Sequence, residues 1–383
     1  MSILLPGFRL GVVGGGQLGR MLAVEARRLG VWTVMLDPSP NAPAKGIADE
    51  MLCGDLYDPK ALKALAEHSD VITYEIEHTN VDALAEIEAG GAIIHPRPAV
   101  LKIIQDKFRQ KTFLREHGIP VPNFKAVAAA DVATYVPEHF PVVQKLRTGG
   151  YDGRGVAVLS SPDDTRLQGE SMFEDHVDVL LELSVIVARG FDASTAVYPV
   201  IEMVFDPRAQ ICSSVAAPAR VSSTIAKKAI NISLSAVQAL QGVGVFAVEL
   251  FLTKDKRLLV NEIAPRTHNS GHWTIEGAVT SQFEQQIRAV CSLPLGDTSL
   301  LRPSVMINLL GAPDAYGSPV LANVIEGLSI PGLRLHWYQK NEVKPFRKMG
   351  HATITAPDLA TALAYAEKAS TLLEVRGSRK EPQ

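Results

Sequence analysis

The stretch Phe8–Asp37 constrains the fold more than any other part of the chain. An apolar strand, Phe8–Val13, runs into Gly14-Gly15-Gly16-Gln17-Leu18-Gly19. Leu18, Leu22 and Leu29 then recur at helical spacing as far as Gly30, which serves as a C-terminal cap. Val31–Leu36 supplies a second strand, and Asp37 stands at its end. Strand, glycine turn, helix, strand and terminal acid make a βαβ unit of the nucleotide-binding type. The glycines let backbone N–H groups and the helix N-terminus approach a phosphate closely. On this stretch alone three readings stay open. One is a dinucleotide with Asp37 on its ribose, one is glycines that merely permit tight packing, and one is the phosphate of a mononucleotide substrate.

A chain of 383 residues has room for two or three domains and a large core. With 46% hydrophobic and 21% charged residues it reads as a soluble globular protein. A net charge of −3 leaves no electrostatic footprint for nucleic acid. No signal-peptide pattern opens the chain and no apolar run reaches membrane-spanning length, so no membrane partner is expected. Cys53, Cys212 and Cys291 form neither a CxxC pattern nor a disulfide framework, which fits a reducing cytoplasm.

Further αβ units follow. Pro59–His68 reads as a helix and Asp70–Glu75 as a strand, with Glu75, Glu77 and His78 at its carboxyl end, the usual ligand edge of an open α/β sheet. Ala92–His95 reads as the last strand of this domain, and one amphipathic helix over Ala99–His117 leads out of it. The second domain announces itself with Val142–Lys145 and the loop Leu146–Val156, rich in glycine and flanked by Lys145 and Arg154. Its backbone donors suit phosphates, although the GK[ST] ending of a Walker loop is missing. Val156–Leu159 returns as a strand, and Ser171–Val177 is another. Glu182 lies in the apolar run Leu180–Ala188, where a carboxylate needs either a basic partner or ligand hydroxyls. Phe191–Phe205 and Ile211–Ala217 read as strands and Thr224–Gly242 as a helix.

A hairpin comes next, with strand Val243–Leu252, turn Thr253–Lys256 and the apolar run Arg257–Val260. Pairing Leu252 with Arg257 sets Glu249 opposite Val260, so Glu249, Val260 and Glu262 share a face. The diagonal Glu249–Glu262 separation is then roughly 7–8 Å, near enough for both carboxylates to meet on metal ions. Arg266, His268, Asn269 and His272 follow in a polar run. Acidic metal ligands followed by an anion-binding loop point to phosphoryl chemistry.

After Thr274 a helix is expected to about Ala289, then a strand at Ser304–Leu310 and a polar turn at Gly311–Gly317. A small third unit comprises strand Leu333–Tyr338, a basic loop Lys340–His351, strand Ala352–Thr355 and helix Asp358–Leu373. Lys340, Lys344, Arg347 and Lys348 in that loop are placed to close over an anionic substrate, and Arg376–Gln383 reads as a frayed tail.

Taken together, GGGQLGRML, YEIEH, KLRTGGYDGRG, ELSVIVARG, NEIAPRTHNSGHWT and RKMGH resemble the ATP-grasp superfamily. Within it they are similar to the 5-(carboxyamino)imidazole ribonucleotide synthase family of purine biosynthesis, over nearly the whole chain. The resemblance implies an ATP-grasp fold, α/β and α+β in class. A Rossmann-like pre-ATP-grasp domain would span residues 1–100 and the ATP-grasp domain 101–300, with a glycine-loop subdomain at about 121–180. A small C-terminal domain, 301–383, would close the site. The implied reaction joins ATP, bicarbonate and 5-aminoimidazole ribonucleotide through carboxyphosphate, giving the carboxyamino product, ADP and phosphate. Mg2+, or Mn2+ in its place, a homodimer and a cytoplasmic location go with it.

By motif, ATP would lie against Lys107, Lys145, Gly150, Tyr151, Asp152, Gly153, Arg154, Gly155, Val156, Glu174, Asp175, His176, Val177, Glu182, Asn261 and Glu262. Glu249 and Glu262 would hold the metal. Gln17, Glu75, His78, Tyr151, Arg154, Arg266, His268, Asn269, Lys340 and Arg347 would surround the ribonucleotide, with Asp152, Arg154 and Lys340 in catalytic roles. Glu77 falls in the same motif. The chain departs from the family pattern at Val156, where Gln is common, at Met203 and Phe205, where Asn and His are common, and at Phe346, where Gly is common. Phe346 is therefore expected to alter the basic loop. Three competing classes are a Rossmann dehydrogenase, a non-catalytic nucleotide-binding subunit, and a ligase such as the formate-dependent glycinamide ribonucleotide transformylase.

Overall fold

The computed structural model describes residues 7–150, 155–206 and 211–379. Strands β1 (Arg9–Val13), β2 (Trp32–Asp37), β3 (Glu50–Cys53) and β4 (Val71–Tyr74) form a parallel sheet in the order β3-β2-β1-β4. Leu10, Val12, Val13, Val34, Met35 and Leu36 are all buried, as strands covered on both faces require. The helices are α1 (Gln17–Arg28), α2 (Pro59–Glu67) and α3 (Val81–Ala89), and the side chains of Asp58 and Asn80 cap the last two. The strand expected at Ala92–His95 is reduced to one bridge, Ile72 to Ile94. Pro96 follows at once and has no N–H to continue a ladder.

The glycine turn is filled from within. Gly15 N–H donates to Asp37 Oδ2 at 2.9 Å, and Gly16 and Gly19 N–H donate to the two oxygens of Glu75 at 2.8 and 3.0 Å. A Cβ on Gly16 would stand 2.6 Å from Glu75 Oε1, and one on Gly14 2.5 Å from Glu75 Cγ. The glycines therefore make room for a carboxylate of the chain itself, and the donors that a dinucleotide pyrophosphate needs are taken. Glu75, expected at the ribonucleotide, supports the turn. Gly16→Ala should cost about 1–3 kcal/mol by crowding. That would be seen as a lower urea midpoint with the slope unchanged; an unmoved midpoint would mean that Glu75 swings aside freely.

The single helix expected over Ala99–His117 is two helices, α4 (Pro98–Ile104) and α5 (Lys107–Glu116). Asp106 breaks it by accepting from Phe108 and Arg109 N–H, and it also takes Arg147 Nε at 3.2 Å. Strands β5 (Phe124–Val127), β6 (Val142–Leu146), β7 (Val156–Leu159) and β8 (Ser171–Asp175) make a small antiparallel sheet ordered β5-β8-β6-β7.

The main sheet is built from β9 (Val179–Arg189), β10 (Thr195–Val197), β11 (Ile201–Asp206), β12 (Ile211–Ala217), β13 (Gly244–Thr253) and β14 (Leu258–Ala264), with α6 (Ser223–Leu240) against it. Phe246, Val248, Leu250 and Leu252 of β13 pack with Ala229, Ala236, Val237 and Leu240 of α6. Alternation then turns Val245, Ala247, Glu249 and Phe251 to the opposite face. The helical stretch after Thr274 divides into α7 (Thr274–Gly277) and α8 (Gln282–Val290), because Ser281 caps α8 on Glu284 N–H. Phe283, Ile287 and Val290 of α8 share a core with Leu18, Met21 and Leu22 of α1, which seats the first domain on the second.

The C-terminal strands are β15 (Ser304–Leu310), β16 (Tyr316–Ala322), β17 (Leu333–Trp337), β18 (Lys348–Thr355) and β19 (Glu374–Arg379), with α9 (Val324–Leu328) and α10 (Leu359–Leu372). β15, β18 and β17 continue the main sheet, whose order is β14-β13-β9-β11-β12-β15-β18-β17 with β10 beside β9. The basic loop is shorter than expected, since β18 already begins at Lys348, and the polar turn at Gly311–Gly317 passes into β16. The tail expected to fray is instead strand β19 as far as Arg379, paired with β16 and anchored by buried Val375. Phe346 adopts φ +59°, so the loop keeps a left-handed residue without glycine, at a cost on the order of 1 kcal/mol. Among the described residues no helix is long and apolar enough to cross a membrane.

Candidate active site

The hairpin that carries the acidic pair is bulged, and the bulge makes the site. Leu252 pairs with Leu258 and Leu250 with Val260, after which the register shifts and Glu249 faces Glu262 directly. The expected register, with Glu249 opposite Val260, is thus corrected. Leu258, Val260 and Ile263 all enter the core against α6, and the three-residue step from Val260 to Ile263 marks the extra residue. Without it Glu262 would follow Val260 into that core. Asn261 takes up the shift, and Glu262 emerges beside Glu249 on the cleft side.

The cleft holds about 390 Å³. Its lining includes Lys107, Lys145, Gly150, Val156, Glu174, Asp175, His176, Val177, Glu182, Glu249, Asn261 and Glu262, so most of the residues assigned to ATP and metal converge there. Val143, Val158, Phe205 and Phe251 give it an apolar wall. Met203 packs in the sheet core. Gly155 lies at the mouth of the loop with φ +80°. Tyr151, Asp152, Gly153 and Arg154 lie outside the described residues.

Charges in the cleft are arranged in order. Lys107 Nζ meets Glu262 Oε2 at 2.8 Å, and Lys145 Nζ donates to Asn261 Oδ1 at 2.9 Å and meets Glu174 Oε2 at 2.6 Å. Lys107 holds the Glu262 carboxyl down at about 2. Burial, with Glu262 and Glu182 adding like charge, pushes Glu249 up to about 8. Burial raises Glu182 to about 7. Two opposed carboxylates, one of them costly to ionise, make a donor set that fits a divalent cation.

Among the described residues assigned to the ribonucleotide, His268 reaches the first region, its Nε2 3.6 Å from Glu249 Oε1. Burial, then Arg266 and Lys348, lowers His268 to about 4. Arg266 pairs with Glu77 at 2.8 Å, and Asn269 exchanges amide hydrogen bonds with Asn308 at 2.9 and 2.8 Å. His78 is half-buried beside this pair, its imidazole lowered first by burial. Gln17 opens α1. Lys340 Nζ donates to the Lys348 carbonyl, and Arg347 Nη1 to that of Glu342, each at 2.7 Å. His272, read with the polar run, is turned into the core with its ring 4.7 Å from that of His351.

Three family descriptions match in sequence: ribonucleotide synthetase preATP-grasp domain over residues 8–105, ATP-grasp domain over 112–283, and phosphoribosylaminoimidazole carboxylase C-terminal domain over 304–365. The N5-carboxyaminoimidazole ribonucleotide synthase of Synechococcus elongatus is 40% identical over 96% of this chain and 94% of its own. The chain belongs to the N5-carboxyaminoimidazole ribonucleotide synthase family. Its fold is accordingly an ATP-grasp domain flanked by a preATP-grasp domain and the family's C-terminal domain, and it is an enzyme of the ligase type. The crystal structure of the Thermotoga maritima synthetase superposes with a TM-score of 0.89 at 46% identity, covering 97% of this chain and 100% of that one. The synthase of Aspergillus clavatus in complex with ADP and 5-aminoimidazole ribonucleotide gives 0.86 at 37% identity, covering 96% and 98%. The phosphoribosylaminoimidazole carboxylase of Vigna aconitifolia is 38% identical over 92% of this chain, which spans only 65% of that longer protein.

One participant escaped sequence reasoning. Lys111, on an ordinary-looking amphipathic helix, is 2% exposed and meets Glu174 Oε1 at 2.8 Å. Lys348, expected with the loop cations over an anionic substrate, bears by its charge on both Glu249 and His268.

Proposed function

We propose that the chain carboxylates the amine of 5-aminoimidazole ribonucleotide with ATP and bicarbonate, releasing ADP and phosphate, as a cytoplasmic homodimer. The observation that carries the reading is Glu249 facing Glu262 at the lysine-lined end of a cleft with an apolar wall. The wall suits a purine base; of the other lining residues, Glu182 would take the ribose hydroxyls, and Lys107 and Lys145 the phosphates. Glu249 and Glu262, with Asn261 beside them, would hold magnesium, which supplies charge neutralisation to phosphoryl transfer. Arg266 and His268 sit beyond the carboxylates, where an activated carboxyl group must be held until it meets the amine. The reading takes carboxyphosphate as that group, and closure of the glycine loop as the device that excludes water. Asp152 enters on the family motif alone, as the residue that positions or deprotonates the amine. Asp152→Asn should lower turnover roughly 10²-fold with little change in ATP affinity; full turnover would remove the assignment.

The raised Glu249 carboxyl has a consequence for metal binding. A cation must displace its proton below about pH 8, so magnesium affinity should rise up to about tenfold per pH unit between pH 6 and that value. Calorimetry in two buffers of different ionisation heat reads the released proton. Affinity that is flat across this range would exclude the protonated carboxyl.

The functional test is ADP release with magnesium and ATP, adding bicarbonate and 5-aminoimidazole ribonucleotide separately and together. Release that needs the ribonucleotide, with the product carboxylated on its amine, is expected. Release driven by formate and another ribonucleotide would transfer the chain to a neighbouring reaction.

A further inference from the structure

Lys111 has no task in the reading above, although a lysine only 2% exposed is costly to keep. It lies one helical turn after Lys107 on α5. Its Nζ meets Glu174 Oε1 at 2.8 Å and donates to the Val260 carbonyl, just before the bulge, at 2.9 Å. Glu174 is equally buried and gives its other oxygen to Lys145 at 2.6 Å. Two lysines thus share one carboxylate. Lys145 and Glu174 reach the cleft, while Lys111 stands behind them and does not line it. A Glu174–Lys145 pair alone would cancel most of the charge Lys145 brings to a phosphate. With Lys111 behind, the trio keeps one net positive charge, and Lys145 is the cation facing the cleft.

We propose that Lys111 is a positioning residue for nucleotide binding, neutralising Glu174 from the side away from the cleft and so leaving the charge of Lys145 for the ATP phosphates. The proposal rests on the reading of this cleft as the ATP site. Burial lowers the Lys111 ammonium to about 8, with Glu174 opposing the shift, so it remains charged at neutral pH. Burial pushes the Glu174 carboxyl up, but the two lysines outweigh it and hold it below its ordinary value. Both features fit a buried counter-charge.

The test is ATP affinity by calorimetry for the full chain and the variants Lys111→Met, Glu174→Gln and Lys111→Met/Glu174→Gln, with melting temperatures alongside. Lys111→Met should weaken ATP about tenfold, because Glu174 then cancels Lys145. In the Glu174→Gln background the same change should alter affinity by less than about threefold, since no anion is left to neutralise. A merely structural lysine would lower the melting temperature without that difference between backgrounds. Equal losses in both backgrounds, or no loss in either, overturn the proposal. Should Lys111→Met fail to fold, Lys111→Gln keeps a donor for the Val260 carbonyl, removes the charge, and is compared in the same two backgrounds. Wild-type protein that binds ATP but releases no ADP would sink the carboxylation reading, with Lys111 still decided by the affinities. Wild-type protein that binds no ATP would sink both.

Discussion

Glu249→Gln is expected to reduce magnesium-dependent ADP release roughly 10²–10³-fold while raising the melting temperature of the metal-free protein. The two effects have one cause. Glu249 is set directly against Glu262, with Glu182 nearby, and its carboxyl is pushed up to about 8 by burial first and like charge second. Glutamine copies the protonated form that the metal-free site prefers, but it is a poor ligand for a hard dication. The native chain keeps a proton that the unfolded chain gives up near its ordinary 4.5. Metal-free stability therefore falls as pH rises from about 4.5 to about 8, and the variant escapes that loss. Its advantage in melting temperature should be small at pH 5 and largest near pH 8. Glu262 works in the opposite direction. Held at about 2 by Lys107, it stabilises above 4.5, and that contribution disappears on acidification toward pH 2. Melting curves in chelator at both pH values, with ADP release in magnesium, decide the matter. Retained turnover would remove Glu249 from the metal site.

Lys145→Met should lower kcat/KM for ATP by roughly 10²–10³-fold. Lys145 is the basic group that joins the glycine-loop strand to the metal hairpin, through Glu174 on one side and Asn261 at the bulge on the other. Losing it removes a cation from the phosphates and leaves the bulge without its partner from β6. Arginine should not restore activity, because a planar guanidinium cannot reproduce a point charge held between those two acceptors. ADP release for both variants reads this directly. Activity within about threefold of wild type would place the phosphates elsewhere.

Much of the architecture was legible from local pattern. The strand–turn–helix–strand opening of the chain, the strand lysine before the glycine loop and the acidic hairpin each obey rules that act over a few residues. Where those rules failed, a longer-range partner had intervened. The helix out of the first domain broke at Asp106, which caps α5 with a carboxylate that Arg147 also holds from 41 residues away. The tail became strand β19 because β16 offered it an edge and the core a place for Val375. Phe346 accepted a left-handed backbone that its side chain disfavours, since its N–H is taken by the Gly311 carbonyl at 2.9 Å.

The site divides in the same way. Its chemistry, carboxylates with lysines and a glycine loop, was written in residue types and their order along the chain, because catalytic groups must be particular side chains at the ends of particular elements. Its geometry was not. The glycine turn resembles a phosphate cradle in sequence and is closed by Glu75 from 59 residues away. Glu262 belongs to the buried face by alternation and reaches Glu249 only through the bulge at Asn261. Lys111 resembles a solvent-facing lysine until Glu174 and Val260 fold over it. Sequence by itself determined which groups the protein brings to its reaction. Tertiary structure alone decided which charges cancel and which stay available, because Coulomb energies depend on distance and burial, and neither is a property of a residue's place along the chain.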